Sequence, residues 1–240
     1  GTSQFTVADT QSVVLDVVGN DFTGNVTFGS AGTIANVTVD DASAFAIQAG
    51  LTISGNLDIT AGGAITDLGA VSVGGTSRFA TDVAADVTLD GASTYTGTVS
   101  FDTTVGTTTG NAALTNAASA IDLGASAVEG TLQVGAGGAI TDSGNVLVSG
   151  TTTLDAGAGN DITLDQAGND FDNDDTGDGV SITSGNNVTL VDVDAIVLGA
   201  STVSGALDVT AGGTIEDNGN IGVSGAAAFN ANAGGSDITI

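Results

Sequence analysis

Gly1-Thr2-Ser3-Gln4-Phe5 returns as Gly75-Thr76-Ser77-Arg78-Phe79, and more loosely at Gly150–Leu154 and Gly225–Phe229, in steps of 74, 75 and 75 residues. Leu15-Asp16 follows suit as Leu89-Asp90 and Leu164-Asp165. A closed globular domain does not restate itself in this way; a stack of similar units does. The spacing predicts one continuous solenoid over 1–240, with repeats at about 1–74, 75–149 and 150–224 and the start of a fourth at 225–240. Since the chain begins and ends at nearly the same phase, it reads as a window on a longer array.

The stretch Gly55–Gly75 shows what one unit is made of. Its apolar positions Leu57, Ile59, Ile65, Val71 and Val73 return as Leu132, Val134, Ile140, Val146 and Val148, and again as Leu207, Val209, Ile215, Ile221 and Val223. Alternation over three or four residues, broken by glycine-rich corners, predicts short β-strands. The corners Ala61-Gly62-Gly63, Ala136-Gly137-Gly138 and Ala211-Gly212-Gly213 are where a left-handed turn residue is expected. No sustained three-and-four spacing of apolar residues supports a helix. Strands this short, at intervals of about six to ten residues, suit a β-solenoid better than a sandwich array or a propeller. Each period then holds three or four coils of roughly 19 to 25 residues and rises about 14 to 19 Å, giving a rod of about 45 to 60 Å. Asp67, Asp142 and Asp217 share a phase but stand more than a Debye length apart, so they build no like-charge ladder.

Composition narrows the function. Aromatics are 4% of the chain against 41% hydrophobics, so the core must be Val, Ile, Leu and Ala. Twenty-eight acidic residues face one arginine, Arg78, with no Lys or His, for a net charge of −27. Such a surface repels nucleic acid and anionic membranes and favours cationic partners, divalent metal first among them. No apolar run reaches membrane-spanning length, so membrane insertion is not expected. Without His, Cys or Lys there is no nucleophilic triad, and bases reduce to carboxylates. A paired-carboxylate glycosidase would need an aromatic or basic cleft for sugar, and the chain has no Trp, one Tyr and one Arg. The chain is not expected to be an enzyme, and no catalytic residue is assigned.

GNLDITAGGAITD (55–67), GTLQVGAGGAITD (130–142) and GALDVTAGGTIED (205–217), with LGASTVSG (198–205) and AGNDITLDQAGNDF (158–171), resemble the repeats of filamentous-haemagglutinin-like exoproteins and related giant bacterial surface adhesins. The resemblance covers essentially the whole chain. It implies an all-β fold, a right-handed parallel β-helix, and an extracellular or cell-surface location. It also implies the role of a shaft or fibre in adhesion or matrix formation, with a cell-surface or matrix ligand. The absence of Cys is compatible with that export. Solenoid ends expose strand edges, so other copies or adjacent repeats stacking end to end are further expected partners.

The densest acidic stretch is Asp172-Asn173-Asp174-Asp175-Thr176-Gly177-Asp178-Gly179, which also interrupts the repeat. Alternating carboxylates before a glycine resemble an oxygen-ligand Ca2+ loop, since hard cations take six to eight oxygens. Asp172, Asp174, Asp175 and Asp178 are therefore the candidate metal ligands. The twelfth position counted from Asp172 is Thr183, where an EF-hand would have Glu. The alternative is a solvated acidic loop, and no cofactor is required. Gly157-Ala158-Gly159-Asn160-Asp161 resembles one calcium-binding nonapeptide but stands alone, and reads as a turn before the strand at 162–164. Asn20-Asp21-Phe22, Ser93-Thr94-Tyr95 and Asn169-Asp170-Phe171 match each other, and their aromatics are expected to fill the core beside a turn. Thr107–Thr109 and Thr151–Thr153 do not recur at coil spacing, so no hydroxyl ladder is expected from them.

Overall fold

A computed structural model describes residues 1–103, 110–116, 118–174 and 176–240. Short stretches of Val, Ile, Leu and Thr become strands of two to six residues, and no helix occurs among the described residues. β-branched side chains favour the extended backbone, and the turn residues between them keep each strand short. Every strand pairing is parallel, and partners lie one coil apart in sequence. In the first of two long sheets the strands at 13–15, 37–41, 57–61, 77–81, 99–102, 121–123, 140–142, 162–164, 188–192, 207–211 and 227–231 form one unbroken path. Successive partners on it stand between 19 residues apart, as Val188 and Leu207, and 26 apart, as Ile162 and Val188. The second long sheet runs alongside from Phe45–Ile47 to Ile238–Thr239. The chain is a parallel β-solenoid of about eleven turns.

The 75-residue repeat does not hold a whole number of turns. Leu57–Ala61 and Leu207–Ala211 both lie in the first sheet, seven turns apart, but the intervening Leu132–Ala136 lies in the second. The strands that follow swap in the opposite sense: Ile65–Asp67 and Ile215–Asp217 are in the second sheet and Ile140–Asp142 is in the first. One repeat is thus three and a half turns, and the structural period is 150 residues. At about 4.8 Å per turn this period rises about 34 Å. Asp142 accordingly lies on the opposite sheet from Asp67 and Asp217, so the three do not share a phase around the axis.

Inward side chains from both sheets merge into one core that runs from Val13 to Ile215. Along Val37–Asp41 and Leu57–Ala61 alternate residues are buried, as the two-residue side-chain period of a strand demands. Fully burying such a Val, Leu or Ile stabilises by roughly 1.5–3 kcal/mol relative to exposure. Aromatics stack coil upon coil where they occur: Phe5 on Phe28 at 6.2 Å and Phe79 on Phe101 at 6.0 Å. Tyr95 and Phe171 are buried in the core, and half-buried Phe22 meets Phe5 edge-on at 5.7 Å.

The corners are held by side-chain carbonyl columns. Asn36 Oδ1 accepts the Asn56 N–H at 2.8 Å, and Asn56 Oδ1 accepts the Thr76 N–H at 3.0 Å. Asn111 does the same for Thr131, and Asp161 for Asn187. The Gly-Gly corners differ from expectation, because neither Gly62-Gly63 nor its counterparts adopt positive φ. Glycine is needed there for close approach instead. A Cβ on Gly62 would strike the Ala42 carbonyl oxygen, and one on Gly212 that of Val193.

Candidate functional site

The acidic excursion leaves the stack after the strand Ile162–Leu164 and rejoins it at Gly179–Ser184. Buried Phe171 anchors it, and the loop 172–178 follows at once. Asp172, Asp174 and Asp178 each offer a carboxylate oxygen within 4.8 Å of the others. Asp175 lies outside the described residues. Much of the oxygen capacity is already used by the loop itself. Asp172 accepts N–H groups from Thr176 at 3.0 Å, Gly177 at 2.8 Å and Asp178 at 3.3 Å. The Thr176 hydroxyl donates to Asp174 at 2.8 Å, with Asp178 at 3.3 Å on its other side. Gly177 has φ +88°, a conformation that glycine adopts without strain. Asp174 and Asp178 also line an open cleft of about 290 Å³ with Glu129, Thr131 and Thr151. These are all oxygen donors, which suit a hard cation.

A second acidic group lies next to the first, and sequence reading missed it. Asp170, Asp192 and Asp194 bring carboxylate oxygens within 4.8 Å of one another from two successive coils. Asp192 ends the strand Val188–Asp192 at an inward position, where the next strand has Ala211. It is 3% exposed. Its Oδ2 accepts the Phe171 N–H and its Oδ1 the Asp194 N–H, each at 3.0 Å. Burial above all pushes the Asp192 carboxyl up to about 7, and the charges of Asp194 and Asp170 add to the rise against the pull of the two amides. Asp194 Oδ1 is buried without a hydrogen-bond partner. The signal was an acid on the buried phase of a Val188, Leu190, Asp192 alternation. Asp41 holds the equivalent place in the first repeat, where its Oδ1 accepts the N–H groups of Phe22 and Ser43.

The other motifs resolve into structure. Asp161, in the nonapeptide-like string, serves the corner column, and the amide groups of Asn187 and Asn186 hold its carboxyl below the usual range. Thr152 points inward and is fully buried, while Thr153 stands outward between Gln133 and Ser181. Thr107–Thr109 lie outside the described residues. A threonine column that was not anticipated runs through Thr141, Thr163 and Thr189 on neighbouring strands, closed by Asp122 and Asp208. Arg78 reaches Asp58 in the preceding coil at 3.3 Å and Asp102 in the following coil at 3.5 Å.

A family model described as repeats of unknown function, DUF5649, matches residues 34–107, 109–176 and 185–240. The chain belongs to this family. Its three matched DUF5649 segments correspond to the three repeats, each of three and a half turns. No curated protein and no solved structure matches the chain. The acidic excursion falls at the end of the second matched segment and in the gap before the third, so it departs from the common DUF5649 unit.

Proposed function

We propose that this DUF5649 chain is a structural segment, a shaft or fibre, of a large secreted or cell-surface repeat protein engaged in adhesion or matrix formation. The observation that carries the reading is the unbroken parallel path from Val13–Leu15 to Ala227–Ala231, each strand one turn above the last. Such a stack resists bending because every coil contributes backbone hydrogen bonds and buried apolar contact to its neighbours. Its similarity to filamentous-haemagglutinin-like repeats supplies the extracellular setting, and its residue repertoire offers no nucleophile–base pair for catalysis. Single-molecule pulling tests the mechanical part: a shaft unfolds coil by coil at sustained force, whereas collapse in one low-force event would refute it. Immunogold labelling of intact cells tests the location, and signal confined to the cytoplasm would refute that part.

A second reading makes the chain an acidic Ca2+-binding module, and the convergence of Asp172, Asp174 and Asp178 favours it. It requires a saturable rise in melting temperature with Ca2+ that Asp172→Asn removes. A gradual ionic-strength effect, equal for Na+ at matched strength, would rule it out.

A further inference from the structure

We propose that the corner made by Asp170, Asp192 and Asp194 is a proton-held latch, in which one proton bridges Asp192 and Asp194 and keeps the acidic excursion docked on the coil above it. The geometry supplies both halves of the bridge. Asp192 is buried, and each of its oxygens accepts one backbone N–H. Asp194 offers a buried oxygen that no donor satisfies, within 4.8 Å of the Asp192 carboxylate. A buried acceptor without a donor costs about 1–3 kcal/mol, and a proton on the neighbouring carboxyl removes that cost.

The surroundings leave the proton as the compensating charge. From the preceding coil the corner faces Asp170, from its own turn Asp194, and from the following strand Ala211, which does not titrate. Arg78, the one basic side chain, is engaged with Asp58 and Asp102 in other coils. Two or three carboxylates sharing a dry corner cannot all ionise, as in paired-carboxylate sites generally. Because Asp192 holds the Phe171 N–H, and Phe171 anchors the loop 172–178, loss of the proton sets like charges against each other where the excursion is pinned.

The sign follows from linkage. A carboxyl raised in the fold retains its proton while the unfolded chain, near 3.8, has lost it, so stability falls as pH climbs from that value through about 7 and is lowest above it. Thermal melting of the chain from pH 5 to pH 9 reads this directly. The wild type is expected to lose about 5 °C between pH 6 and pH 9. Asp192→Asn, which cannot ionise, is expected to melt higher than wild type at pH 9 and to flatten that part of the profile. A carboxyl 13C resonance of the wild type titrating between pH 6 and pH 8 is the second readout, independent of any variant's folding. An unchanged profile in Asp192→Asn, or no carboxyl titration in that range, overturns the latch. So does a wild-type fall that 1 mM Ca2+ abolishes through the same residue, since a cation and not a proton would then bridge the corner.

Discussion

Arg78 stands alone against 28 acidic residues, yet it does not serve as an anion site. Its guanidinium lies between Asp58 and Asp102, carboxylates of the coils below and above, with all three side chains a little under half exposed. In high dielectric such pairs are worth about 0–1 kcal/mol, and salt screens them. Arg78→Ala is therefore expected to lower the melting temperature by no more than a few degrees at low ionic strength. In 1 M NaCl the difference from wild type should nearly vanish, and a loss independent of salt would mean that Arg78 acts by packing its stem. Sequence alone could not place this bridge, because its partners are neighbours only through the coil lengths of 20 and 24 residues. The same holds for Asp192. An acid on the buried phase was visible in the string, but its meeting with Asp170 depends on the length of the turn between them.

At the level of strands and corners the chain was largely legible, because alternation and turn chemistry are local. Leu57, Ile59 and Ile65 face the core as their spacing required, and Tyr95 and Phe171 fill it. The corner glycines were located correctly but for the wrong physical cause. A left-handed residue can be inferred from one chain segment, whereas contact with the coil below, as at Gly62 and Ala42, depends on stacking that no local pattern reveals. The distinction is testable. Gly62→Ala forces that corner away from the Ala42 carbonyl and is expected to cost roughly 1–3 kcal/mol. In hydrogen exchange the loss of protection should concentrate in the coils at 37–61 and 57–81, since each coil touches only its neighbours. Uniform loss along the chain would contradict nearest-neighbour energetics.

For the molecule as a whole, length is additive. Eleven turns at about 4.8 Å make a body about 50 Å long, and each further repeat adds about 17 Å. Small-angle scattering of chains carrying one and two extra 75-residue units should show the long dimension growing by that step at constant cross-section. Growth in cross-section instead would mean that added units fold back alongside the stack. Because a repeat closes on a half-integral number of turns, the count of units has a parity. A protein that gains one by duplication turns everything beyond it to the opposite side of the axis, and a second gain turns it back. In a lineage where copy number drifts, even steps lengthen the reach and preserve the heading of whatever the shaft carries, while odd steps reverse it.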